Sequence, residues 1–182
     1  MPVPLLVEYD AVNYPGIMID SPIGASTFEA TCRFALDKII SDRVGKRLLA
    51  EISARAPIFQ PWNGKIKIPN ANKPIEEGGS RAVAISEEKA ANGTGSPSAV
   101  WWNSAVFEIP GQGKRPPFIG LAHELIHAWH NAHGIKKPTY DDEENFTVGL
   151  AAYMMPVAGA IPATITENMI RLEHGVPIRH RY

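Results

Sequence analysis

The stretch His123-Glu124-Leu125-Ile126-His127 narrows the folds open to this chain more than any other feature. Two histidines four residues apart stand roughly 13 Å apart on a strand but only about 6 Å apart, one above the other, on an α-helix. Only the helix lets both imidazoles reach one metal ion. Glu124 sits one residue beyond the first histidine and leans toward the same cleft, where it can take a proton from a water that the ion activates. In a chain of this composition a chance HExxH is expected on the order of once in seventy cases. Around it, Phe118, Leu121, Ala122, Leu125, Ile126 and Trp129 supply an apolar face turned away from the histidines, as a core helix requires.

A catalytic zinc site needs a third protein ligand and one open coordination position. Two candidates follow the motif. His133 lies ten residues after His123, the ligand spacing of metzincins, but His130 stands where those proteins have a helix-breaking glycine. An unbroken helix carries His133 away from the metal. The second candidate is the acidic run Asp141-Asp142-Glu143-Glu144, which opens another helix; one carboxylate returning from there gives the gluzincin arrangement. Acidic residues also favour any helix N-terminus, and composition does not choose among the four. Met154 and Met155 read as apolar packing, and His130 as a solvated histidine at the rim of the cleft.

The remaining sequence frames this helix. The chain has 182 residues, enough for one compact domain, and its 45% hydrophobic and 20% charged content is that of a globular protein. LLVEY and GIMID, split by NYPG, read as short strands. A helix capped at Ser26 or Thr27 runs to about Ile40 with Phe28, Cys32, Ala35, Leu36, Ile39 and Ile40 on one face, and a second runs from about Asp42 to Ala54. Lys65–Ile68, Ala82–Ile85 and Val100–Phe107 alternate polar and apolar between loop-forming segments such as NANKP, EEGGS and NGTGSPS, which predicts an antiparallel meander. An exposed loop over Pro110–Pro117 leads to the motif helix, about Phe118–Ala132 and ended by Gly134. Further helices are expected over Glu143–Tyr153 and Thr166–His174. The fold class is therefore α+β and zincin-like: one domain, with a small twisted antiparallel sheet and a helical layer carrying the HExxH.

Charge and targeting signals exclude several classes. A formal net charge of -1 argues against nucleic-acid or anionic-membrane partners. The N-terminal MPVPLLVEYD has no basic region, so a cleaved signal peptide is not expected, and no apolar run is long enough to span a bilayer. Cys32 is the only cysteine and falls among core positions.

HELIHAWHNAHG, ENFTVGL and ITENMIRLEHGVPIRHRY together resemble the NleD-like family of bacterial effector zinc metallopeptidases, firmly over about Pro117–Tyr182. In that family an acidic residue shortly before a T/A-V-G segment follows the HExxH helix. Thr147-Val148-Gly149 puts Glu144 in that place, and the resemblance implies Glu144 as third zinc ligand, with Glu143 its nearest rival. Within ITENMIR, Glu167 and Arg171 become a candidate pair for orienting a ligand histidine, with a surface salt bridge as the plain alternative. The resemblance further implies a type III effector or toxin domain, delivered without a cleaved signal peptide into the host cytosol, where it cuts host proteins. MAP kinases of the JNK and p38 type are the family's best-known targets.

Tyr182 or Tyr153 could donate to an oxyanion, although a packed or disordered terminal tyrosine is the simpler expectation for Tyr182. The strand over Val100–Phe107 is a candidate to pair with an extended substrate, with one of Trp101 and Trp102 in the core and the other a candidate to line a substrate pocket. A zinc hydrolase of a non-peptide bond and a zinc-binding interaction module without turnover are the competing readings. Glu124 argues against the second, since a structural zinc site needs no base beside it.

Overall fold

The computed structural model describes residues 5–21, 26–55, 66–69, 79–150 and 164–182. Tyr153, Met154, Met155 and the NANKP loop lie outside these residues. Strand β1 (Leu5–Asp10) turns back through residues 11–13 into β2 (Tyr14–Ser21), which is followed by helices α1 (Ser26–Ile39) and α2 (Arg43–Ala54). Strands β3 (Ile66–Pro69) and β4 (Arg81–Ala84), helix α3 (Glu87–Ala91) and strand β5 (Ser98–Trp101) come next. A two-stranded hairpin, β6 (Glu108–Ile109) and β7 (Gly113–Lys114), precedes helices α4 (Pro117–His133), α5 (Tyr140–Val148) and α6 (Glu167–Glu173).

The α+β class is as expected, but the sheet is mixed rather than antiparallel. Its order is β1-β2-β3-β5-β4, with β1–β2 and β4–β5 antiparallel and β2–β3 and β3–β5 parallel. Parallel neighbours need a crossover of a dozen residues or more, and the segments 22–65 and 70–97 both have that length. The loop-rich sequence between strands imitates hairpin turns, although the chain is crossing the sheet. Strand β5 ends at Trp101, well short of Phe107, and lies between β3 and β4; the free edge on that side belongs to β4.

The core lies between sheet and helices. Alternate β2 residues Ile17 and Ile19 point inward, as do Phe28, Cys32, Leu36 and Ile39 of α1 and Leu48, Leu49 and Ile52 of α2. Each fully buried side chain of this size contributes about 1.5–3 kcal/mol. Helix α4 runs through the middle of the assembly and packs on α1, α2, α3, α5, α6, β4 and β5. Every residue from Ile119 to Ala132 is buried, and Trp129 donates from Nε1 to Glu51 of α2 at 2.8 Å.

Pro117 begins α4 where no intrahelical N–H is needed, and Gly134 ends it at φ 69°. A Cβ on Gly134 would come within 2.6 Å of the Gly93 backbone, so glycine is required there for space as well as for conformation. Gly149 (φ 81°) likewise stops α5 at Val148, short of the end expected at Tyr153, before Pro156. Among the described residues no helix is long and apolar enough to cross a membrane.

Candidate metal centre

One buried face of α4 carries His123, Glu124 and His127. Helix α5 begins at Tyr140, before the expected start at Glu143, with Thr139 as cap accepting from the Asp142 N–H. Glu143 and Glu144 therefore sit about 100° apart on the helix and approach α4 differently. Helix α6, capped by Thr166 accepting from the Met169 N–H, brings Glu167 to the other side of His123.

The Nε2 atoms of His123 and His127 are 3.2 Å apart. Glu144 places Oε2 3.0 Å from Nε2 of His123 and Oε1 3.2 Å from Nε2 of His127. A tetrahedral zinc about 2.0–2.1 Å from each ligand atom requires those atoms to stand roughly 3.3 Å apart, close to what the three residues present. Behind the histidines, each Nδ1 faces a carboxylate: Glu167 Oε2 at 2.7 Å from His123 and Glu143 Oε1 at 2.8 Å from His127. A carboxylate can only accept, so each Nδ1 carries a proton and each Nε2 is the ring atom turned inward, free to bind an ion once its own proton is displaced. Both Nε2 atoms and the Glu144 carboxylate thus converge on one point, where a cation can take the place of the protons that otherwise bridge them. His123, His127 and Glu144 form one group whose ligand atoms lie within 4.8 Å of one another; His127, His130 and Glu143 form a second.

The charges around the site are strongly polarised. Burial alone would raise the pKa of Glu144, but hydrogen bonds from His123 and His127 bring it down to about 2. Burial opposes protonation of His127, yet its bonds to Glu143 and Glu144 lift its pKa to about 10. His123 is shifted upward in the same way by Glu144 and Glu167, against burial. The pocket is electrostatically prepared for positive charge on its histidines. Glu124 differs from its neighbours: burial pushes its pKa up despite both nearby imidazoles, the direction that suits a group exchanging protons near neutrality.

Glu167 and Arg171 form a buried ion pair at 2.5 Å, and Glu167 also holds Arg179 at 3.1 Å, so this is no surface salt bridge. The Tyr182 ring stacks over His123, centroids 6.4 Å apart and planes 9° apart, and its hydroxyl is 2.5 Å from that of Tyr140. Burial, then the Tyr140 bond and the charge of Glu144, raise its pKa, keeping the phenol protonated. His133 points elsewhere, with Nδ1 2.9 Å from the Trp129 carbonyl and its ring against the Trp129 indole. The unbroken α4 accounts for this.

Two sequence readings change. His130 is fully buried, bonded through Nδ1 to Glu143 at 2.7 Å and stacked on Phe146. Trp102 is core, while half-buried Trp101 lies under Arg81 and does not line the cavity. Residues not singled out by sequence include Glu143 as the anchor of both His127 and His130, Thr147 at 3.1 Å from His127 Nδ1, and Arg115 and Arg179 on the cavity wall. The cavity beside the histidines measures about 700 Å³, ample for several peptide residues.

A family model described as Effector protein, Peptidase_M91, matches residues 20–182. Among solved structures the chain is similar to the botulinum neurotoxin type D light chain. The TM-score is 0.50 and the identity 16%, over 78% of this chain and 41% of that one. It is also similar to the catalytic domain of Clostridium botulinum neurotoxin serotype F, with a TM-score of 0.50 and 20% identity over 74% of this chain and 44% of that one. The chain spans less than half the length of either, and the likeness is one of fold. No curated relative matches the chain.

Proposed function

Because this chain belongs to the Peptidase_M91 effector-protein family, we propose that it is a zinc-dependent endopeptidase acting on proteins of a host cell. The observation that carries the reading is the convergence of His123 Nε2, His127 Nε2 and a Glu144 carboxylate oxygen, with Glu124 on the same helix face. The donor set of two imidazoles and one carboxylate favours zinc and leaves a position open. Bound there, zinc would supply a Lewis acid that polarises a peptide carbonyl and makes water a nucleophile at neutral pH.

The protein's own residues do the rest. Glu124 takes the proton of the attacking water and passes it to the departing amide nitrogen, so one carboxylate serves as base and then as acid. Glu167 and Glu143 hold the two imidazoles in the tautomer that presents Nε2. Tyr182, protonated and stacked on His123, donates to the oxyanion that develops on the carbonyl. The free edge of β4, where Arg81 and Ala82 line the cavity, offers backbone groups to an extended substrate, in place of the interior β5.

Delivery into the host cytosol by type III secretion, and MAP kinases of the JNK and p38 type as first substrates to try, follow from the NleD-like resemblance. The test is a survey of new protein N-termini in host-cell lysate treated with zinc-loaded wild type or Glu124→Gln. Termini produced by wild type alone support the reading. Identical profiles from two fully zinc-occupied proteins would move a non-peptide hydrolase or a binding module to the front.

A further inference from the structure

Arg115 lines the cavity wall with no anion bonded to it among the described residues, and unlike Arg81 and Lys137 it rests on no aromatic ring. It stands just before α4, fixed by its backbone N–H donating to the Phe107 carbonyl at 2.7 Å. Its side chain crosses the first turn of the helix and rests against Gly120, where an added Cβ would come within 3.4 Å of the guanidinium Cζ and Nη2. Gly120 is three residues before His123 and four before Glu124, so it occupies the same helix face one turn earlier. The guanidinium thus lies beside the reactive residues and lines the same cavity.

One of its hydrogen-bond donors, the Nε–H, is unused. Nε is buried and has no partner, and among the described residues neither a hydrogen bond nor an ion pair reaches the guanidinium. Glu124 and Glu167 act on it through space only. Glu167 has both oxygens engaged, by His123 and Arg179 on one and Arg171 on the other. Burial lowers the pKa of Arg115, as expected of a desolvated cation without a bonded anion. Arg171 and Arg179, which are more fully buried, are both paired with Glu167.

We propose that Arg115 is a specificity residue that receives the carboxylate of an acidic side chain in the peptide substrate, close to the bond that is cut. The planar fork of N–H donors matches a carboxylate in two-point contact. One helical turn advances about 5.4 Å and an extended peptide about 3.3 Å per residue, so the acidic residue falls within about two positions of the scissile bond. This inference rests on the peptidase reading, and its test separates the two.

Zinc-loaded wild type, Arg115→Lys and Arg115→Gln are given a peptide library in which Glu, Gln, phosphoserine and Ala are exchanged at each position. Wild type should favour Glu over Gln at one position near the cut by roughly ten- to a hundredfold in kcat/KM. Arg115→Gln should lose that ratio while still cutting Gln peptides, and Arg115→Lys should keep part of it. Preference for phosphoserine over Glu would overturn the carboxylate assignment, as would a ratio near one in wild type or one retained in Arg115→Gln.

Binding of the same peptides to Glu124→Gln, with and without Arg115→Gln, gives a readout that needs no turnover. A Glu preference there that depends on Arg115 upholds the subsite even if no peptide is cut. Its absence rejects the subsite even if wild type proves to be a peptidase.

Discussion

Glu167 Oε2 lies 2.7 Å from Nδ1 of His123, although 44 residues separate them in sequence. The same carboxylate binds Arg171 and Arg179, so two buried arginines are tied to the orientation of one imidazole. Glu167→Gln should weaken zinc binding by about ten- to a hundredfold, the usual cost of losing a histidine's outer hydrogen-bond partner. It should also lower folding stability by about 3–5 kcal/mol, because two cations lose their buried anion. A chelator-competition titration and a denaturant melt check the two effects. Unchanged zinc affinity would show that Glu167 only holds the fold.

The two neighbouring carboxylates of α5 should behave differently. Glu144→Ala should lose stoichiometric zinc, whereas Glu143→Gln should retain zinc with reduced affinity, since Glu143 touches His127 from behind. His133→Ala should leave zinc content at the wild-type level, as its Nδ1 is committed to the Trp129 carbonyl. Metal analysis of the three purified variants checks the ranking. Zinc loss in His133→Ala would reinstate the metzincin-like spacing.

Zinc affinity should rise with pH. Carboxylate neighbours raise the pKa of His123 and that of His127 to about 10, so protons compete with the ion for the Nε2 atoms throughout the neutral range. From pH 6 to 8 the apparent association constant should gain about tenfold per unit for each proton displaced. Calorimetry in buffers of different ionisation enthalpy counts those protons. A flat profile would show that the histidines reach the ion already deprotonated.

Gly134→Ala should destabilise the protein by about 1–3 kcal/mol or more, combining a left-handed φ with a close approach to Gly93. Gly113→Ala has a positive φ of 85° with nothing within 4 Å, so it isolates the conformational part. Chemical denaturation of both variants measures the difference. Equal losses would mean that the Gly93 contact adds nothing.

The sequence was most informative where the chemistry is local. The HExxH, its helix and the ending at Gly134 all follow from spacing within a few turns of one element. Glu144 could be distinguished from Glu143 only through resemblance, since the choice depends on where α5 begins and how it docks on α4. The burial of His130 escaped notice for the same reason: an imidazole one turn past His127 looks solvated until α5 covers it with Glu143 and Phe146. Strand direction was legible only in part, with β4–β5 antiparallel as expected. Periodicity reports which residues face inward, but β2, β3 and β5 acquire their parallel order from crossovers whose loops carry ordinary turn residues. Arg115 had no local mark, because its meaning comes from Gly120 and from the lack of a partner.

The measurement that bears most directly on the centre is anomalous diffraction at the zinc edge from crystals of the zinc-loaded protein. One peak is expected, about 2.0–2.2 Å from His123 Nε2, His127 Nε2 and a Glu144 carboxylate oxygen, with Glu124 uncoordinated beside it. A peak bound instead by His130 and Glu143, or none at full zinc loading, would contradict it.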